Sequence, residues 1–293
     1  MDYYTGYRLE HRYQLSTQSF SAWIIDELKG SALFMVLGLI IIEIIYSLIR
    51  SYPSFWWLIA ACLLSVFFII MTKLAPTILI PIFFTLRRVN DPDLESRILA
   101  LMEKIHAKVN GIFEMDLSKK SKTANAALAG IGKTRQIILS DTLLDNYSHD
   151  EIEVIMAHEL GHHVYNHLWK GIFVQSALIF SLLFVISQGL RTAVSHFQLK
   201  GITDIAGLPF LLLVTIVFSF LFLPLVNLYL RHLEYQADLY GVSIIGKSDV
   251  FIQALEKLCR QNLCERDPHP IIEFIFYSHP SVSKRVGQLS NHG

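Results

Sequence analysis

Four long apolar runs constrain this chain more than any other feature: residues 31–49, 55–71, 172–190 and 208–230. Each holds roughly the 20 mainly apolar residues that take a helix across a bilayer, where every backbone polar group must be satisfied within the segment. A soluble core does not need runs of this length, so the reading is a mainly α membrane protein with four spans. Composition agrees. Of 293 residues, 53% are apolar and 17% charged, against about a quarter charged in soluble domains. The second span is expected to continue through Lys73 to Phe84, bending at Pro76 and Pro81.

Five regions follow. Residues 1–30 form an N-terminal amphipathic segment, 31–86 two spans, and 87–170 a polar part. Residues 171–230 hold two more spans and 231–293 a C-terminal part. Residues 1–30 carry Arg8, Arg12, Asp26, Glu27 and Lys29 with no early apolar core, so no secretory signal is read. Four spans place the N-terminal segment, residues 88–170 and the tail on one side. Arg8, Arg12, Lys29, Arg87, Arg88, Lys170 and Arg231 lie near the membrane there, against Arg50, Arg191 and Lys200 opposite. The positive-inside rule makes the large side cytoplasmic, in a bacterial inner membrane or an endoplasmic reticulum. Cys62 lies inside a span, and Cys259 and Cys264 are five apart. An odd count without a framework points to reduced thiols. Formal charge is zero, and no nucleic-acid partner is expected.

Within the polar part, residues 91–110 repeat apolar positions at three and four and are read as a helix. Residues 122–140 read as extended. Gly130 and Gly132 divide a small-residue run from a β-rich run, as in a hairpin. Ser148 and Glu151 have the spacing of a capping box and open the next helix.

That helix carries "MAHELGHHVYNH". His158 and His162 share a face one turn apart, so two imidazoles can reach one ion. Glu159 sits beside the first and can serve as general base toward a metal-held water. H-E-x-x-H on a helix is the zinc-peptidase arrangement. Ile152, Met156, Leu160, Val164 and Leu168 step by four and form an apolar stripe on the opposite side. A catalytic zinc takes three protein ligands and an open position. The metzincin pattern fails, because Tyr165 and Leu168 stand where it needs glycine and histidine. His163 and His167 read as surface or supporting residues. The third ligand is sought past the fourth run, in "NLYLRHLEYQADLYG". Asn227, Arg231, Glu234 and Asp238, spaced four, three and four, make one polar stripe on a helix. Polar groups at this depth face a cavity or a partner. Glu234 completes the ligand set. Asp238 is positioned to hold the far nitrogen of a ligand histidine. Arg231 anchors that network or meets a substrate carboxylate.

"AHELGHHVYNH", "NLYLRHLEYQAD", "KTANAALAGIGKTRQIILSDTLL" and "YSHPSVSKRV" together resemble the integral-membrane zinc metallopeptidases of the CAAX prenyl protease 1 type. The resemblance runs from about Tyr7 to Arg285. It implies one zinc per chain on His158, His162 and Glu234, with Glu159 as base and a gluzincin-like α/β part containing a small hairpin or sheet. It further implies an edge strand, Asn125, Ala126, Ala127, Leu128 and Ala129, that holds substrate backbone. It places His279 near the site as an oxyanion donor. His163 departs from the family's usual tryptophan. The family's seven spans enclose a water-filled chamber, so three more spans would precede residue 1. The chamber is then expected to be incomplete, closed by another copy, or supplied by a separate chain.

The expected function is a membrane-embedded zinc metalloendopeptidase cutting peptide bonds near the membrane surface. Its substrates would be peptides or proteins, C-terminal or lipidated, and the bilayer its other partner. An HtpX-like quality-control protease is the alternative enzyme, which the 118–144 stretch disfavours. A non-catalytic zinc-holding scaffold is the alternative from another class, and it has no use for Glu159.

Overall fold

A computed structural model describes residues 3–291 of the protein. Helices dominate: α1 (Phe20–Ser51), α2 (Trp56–Leu74), α3 (Pro92–Lys104), α4 (His149–Val164), α5 (His167–His196), α6 (Leu208–Ile245), α7 (Ser248–Gln261), α8 (Pro270–Phe276) and α9 (Val282–Ser290). Four stretches are long and apolar enough to cross a membrane: Phe20–Ser51, Trp56–Phe83, His167–His196 and Ile205–Ile245. They cover all four apolar runs. The first begins eleven residues earlier than expected; there Phe20 and Trp23 stack on each other and meet the rings of Tyr3 and Tyr7 edge-on or tilted. Past α2 the chain loosens into a wide turn at Ala75–Leu79, where Pro76 lacks an N–H to donate.

The chain divides into two compact units. One comprises Leu28–Met71 and Leu168–Val226. Its core is a small cluster of Ile49, Trp56, Ala60, Ala61, Leu183, Ile186 and Leu190. Large apolar side chains also cover its outer faces.

The other comprises Met1–Glu27, Thr72–His167 and Asn227–Gly293. Its centre is a four-stranded mixed sheet in the order β1-β2-β4-β3. The strands are β1 (Leu86–Arg88), β2 (Ile112–Met115), β3 (Ala126–Ala129) and β4 (Gln136–Ser140). β2 and β4 are parallel, while β1 and β3 pair antiparallel to their neighbours. The expected hairpin is β3–β4. Gly130 and Gly132 turn it with φ of 91° and 60°, a backbone region that suits glycine. β3 is an outer strand, pairing with β4 alone among the described residues. Ile137, Leu139 and Leu143 meet Leu94 and Ile98 of α3 and Ile152, Met156 and Leu160 of α4 in one buried core.

Three expectations are corrected. The helix read over 91–110 ends at Lys104, and His106 then turns back with φ 52°. The stripe on α4 is buried only from Ile152 to Leu160. Val164 and Leu168 are exposed, because α4 stops at Val164 and Asn166 reverses the chain with φ 55°. Cys259 and Cys264 are not free thiols but form a disulfide, closing the chain where Leu263 turns left-handed. That removes the cysteines as support for a cytosolic face and leaves the basic residues.

Candidate metal centre

α4 starts where the sequence specifies. Ser148 Oγ accepts from Glu151 N, and Glu151 Oε2 accepts from Ser148 N at 2.8 Å, so two first-turn donors are satisfied. Lys257 then holds the Glu151 carboxylate at 2.8 Å. This end of α4 is anchored, and its apolar side is fixed in the core. The opposite side turns His158, Glu159 and His162 toward α6.

What lets α6 approach is the absence of a side chain. A Cβ on Gly161 would lie 2.8 Å from Ala237 Cα and 3.0 Å from Ala237 O. Gly241 passes the backbone of His158 in the same way, with 3.2 Å from its hypothetical Cβ to His158 N. Ala237 itself is fully buried. Glycine and alanine at these positions bring two backbones together closely enough for short ligand side chains to meet.

The result is a cluster. One ligand atom each from His158, His162 and Glu234 lie within 4.8 Å of one another. His158 Nε2 is 3.1 Å from His162 Nε2. The Glu234 oxygens are 3.5 Å and 3.3 Å from those two nitrogens. His279 Nε2 comes within 3.5 Å of Glu234 Oε1 from the segment between α8 and α9. Glu159, Asn125, Ala126 and His279 line the same cavity of about 390 Å³.

Whether these residues fit a metal follows from the donor atoms they bring together. Glu234 Oε2 is buried with no hydrogen-bond partner among the described residues, a costly state for a carboxylate oxygen. His158 is buried, which opposes its charge, yet Asp238 and Glu234 outweigh burial and hold the imidazole up to about 9. Carboxylates thus stand on two edges of that ring. Two imidazoles and one carboxylate with a side left open are the donor set of a catalytic zinc, and the residues fit that ion.

Around the cluster, the sequence-derived assignments divide. Asp238 Oδ1 lies 2.8 Å from His158 Nδ1, on the far side of the ring. Asn227 does not reach the ligands; its Nδ2 donates to Ile275 O at 2.7 Å. Arg231 serves as an anchor, though of backbone and not of Asp238. Its guanidinium donates to Glu273 O at 2.9 Å and Tyr277 O at 2.6 Å. Both residues tie down the C-terminal end of α8, where carbonyls lack helical partners. They thereby fix the chain that leads to His279. Of the edge segment, Asn125 stands just ahead of β3 and Ala126 begins it, on the outer strand of the sheet.

Three contributors escaped the sequence reading. Arg285 grips Asp238 with two bonds of 2.6 Å and 2.8 Å; burial opposes its charge, but Asp238 raises its pKa above the usual value. Glu273 accepts from Ser281 N at 3.0 Å and pairs with Lys284 at 2.6 Å, bracing the same segment as Arg231. Asn262 pairs its amide with the backbone of Ala124. The "YSHPSVSKRV" string contains Arg285, and it was the one available pointer.

Residues 88–292 match the family model of peptidase family M48, and residues 1–85 that of the CAAX prenyl protease N-terminal region, five membrane helices. An uncharacterized metalloprotease of Bacillus subtilis, YhfN, is 30% identical over 285 residues, covering 96% of this chain and 67% of its own. CAAX prenyl protease 1 of Saccharomyces cerevisiae is 28% identical over 315 residues, covering 99% of this chain and 68% of its own. The crystal structure of S. mikatae Ste24p has the same fold, with a TM-score of 0.90 at 24% identity over 98% of this chain and 71% of that one.

Proposed function

Because the chain belongs to peptidase family M48 and is a multi-pass membrane metalloprotease, we propose that it is a zinc endopeptidase whose reaction centre is His158, His162, Glu234 and Glu159. The observation that carries this reading is the buried Glu234 carboxylate, its Oε2 without a hydrogen bond among the described residues, beside two imidazole nitrogens in a cavity shared with Glu159. Zinc held by His158, His162 and Glu234 would supply Lewis acidity to the scissile carbonyl and lower the pKa of the attacking water to about 7. Glu159 takes that water's proton on its carboxylate and returns it to the leaving amine. His279, lining the same cavity, donates to the oxygen on which charge develops. Arg285 and Asp238 keep His158 from turning.

Substrate backbone is held by strand addition to β3. Ser140 N donates to Asn125 O at 2.9 Å, so residues 125, 127 and 129 face β4 by the two-residue period of a strand. The backbone groups of Ala126 and Leu128 face outward. Ala126→Pro removes an outward N–H without touching the β4 ladder. It should raise KM with zinc content unchanged; an unchanged KM would remove strand addition.

The substrates proposed are C-terminal segments of membrane-attached proteins, prenylated ones first, which is what the printed names of the relatives support. The side carrying the site is proposed to be cytoplasmic, on the strength of its excess of basic residues near the spans. The test uses the full chain in detergent. Glu159→Gln keeps the shape of the residue and cannot take the proton. It should retain one zinc per chain and lose about 10²–10⁴ in turnover, the usual contribution of a general base. Undiminished cleavage by that variant, or wild-type protein without zinc, would falsify the reading.

A further inference from the structure

The two ligand histidines are held from behind in different ways. A neutral imidazole that binds a metal through Nε2 carries its proton on Nδ1, and that proton needs an acceptor. For His158 the group behind is the Asp238 carboxylate, gripped by Arg285. Behind His162 the nearest polar atom is another imidazole: His162 Nδ1 lies 2.9 Å from His167 Nδ1.

His167 continues the chain of contacts. Its Nε2 is 3.1 Å from Gln236 Oε1, and Gln236 Nε2 is 3.1 Å from His232 Nε2. With His162 Nε2 given to the metal, one assignment of protons satisfies every link. His162 Nδ1–H donates to the bare His167 Nδ1; His167 Nε2–H donates to the Gln236 carbonyl oxygen; and the Gln236 amide donates to His232 Nε2. The amide can point only one way, because its oxygen must face the His167 N–H. His232 is exposed, so the chain ends in solvent and leaves no buried group unpaired.

The fold builds this arrangement rather than tolerating it. His167 is 5% exposed. The left-handed turn at Asn166 swings it back under α4, and the Tyr165 ring stacks on it at 5.7 Å. Gln236 and Glu234 are two residues apart on α6. The same short stretch of helix thus meets His162 at its ligand edge and, through His167, at its opposite edge.

We propose that His167, oriented by Gln236, is a positioning residue that fixes the tautomer and ring plane of His162 for the metal. This rests on the reading of His162 as a metal ligand. A group behind a ligand histidine typically contributes 10–100-fold in metal affinity.

The test is zinc affinity of the full chain in detergent, measured by competition with a chelator and independent of cleavage. His167→Leu should weaken zinc about 10–100-fold. His167→Asn, whose side-chain oxygen reaches the position of Nδ1, should recover most of the loss. Gln236→Leu should weaken zinc by less than His167→Leu. Wild-type affinity in His167→Leu, or an Asn variant as weak as the Leu variant, overturns the proposal. If His167→Leu does not fold, Gln236→Leu decides, and an unchanged affinity there overturns it as well. Wild-type protein that binds no zinc removes the ligand reading itself. Tight wild-type binding that is indifferent to these variants removes only the role of His167.

Discussion

In the unit that carries the ligands, Ile152, Met156 and Leu160 are at most 1% exposed. In the unit of long apolar helices, Phe34, Phe173 and Ile216 are 65% exposed or more. The side chains are alike in chemistry; their neighbours differ. In the first unit, apolar residues are sorted by face, because water on the other side of the helix makes the choice of face worth about 1.5–3 kcal/mol per large side chain. In the second, lipid is as apolar as a neighbouring helix, so an apolar residue gains little by turning inward. What packs there is one small cluster, in which Ala60 and Ala61 make room for Trp56, Ile49, Leu183, Ile186 and Leu190. Hydrophobicity therefore specifies a face in one unit and only a span in the other.

The largest effect should come from filling the gap between α4 and α6. Gly161→Val puts a branched side chain into the backbone of Ala237, where even a Cβ would sit at 2.8 Å. The helices must part, and zinc content measured by atomic emission should fall well below one per chain, with activity lost. Full zinc occupancy would show that the close approach does not set the site.

Next comes a matched pair. Leu160→Ala, fully buried, should cost about 2–5 kcal/mol in denaturant unfolding of the polar unit. Ile216→Ala, 65% exposed on its long helix, should change stability by no more than about 0.5 kcal/mol. Equal losses would erase the distinction between the two units.

The smallest effect is a pH dependence confined to the surface of the first unit. His149 meets Asp93 at 2.8 Å and Asp91 at 2.9 Å. The hydrogen bond to Asp93, followed by that to Asp91, raises its pKa above 6.5. Its stabilisation is therefore complete below the unfolded value and lost as pH rises through the folded one. A melting-temperature difference between wild type and His149→Ala should be present near pH 6, shrink toward pH 9, and diminish in salt because the pair is exposed.

Much of the site was legible because helices bring close what the sequence spaces by three and four. His158 with His162, and Glu234 with Asp238, are each one turn apart, and spacing alone places each pair on a face. The capping box gave the start of α4 and the two glycines the hairpin. Contacts between distant segments left no such periodic trace. Arg285 lies 47 residues from Asp238 and Asn262 138 from Ala124. Arg231 was placed on the stripe with two tasks left open, because a helical wheel says which residues share a side and not what faces them; the carbonyls of Glu273 and Tyr277 face it. The disulfide was missed for a related reason: a separation of five does not say whether the chain turns back between the two cysteines.

Asn262 has a consequence for the edge of the sheet. Its amide accepts from Ala124 N at 2.9 Å and donates to Ala124 O at 3.1 Å, the two-way bond that a neighbouring strand would make. The loop that holds it is closed by Cys259 and Cys264 and tethered a second time by Gln261 on Lys122 O. One rung of the outer ladder is thus already filled from within the chain, and the outward rungs that follow are Ala126 and Leu128. The edge is a ruler with its zero mark engraved: any strand laid along it meets a stop at Ala124, and distance along the cavity is counted from there.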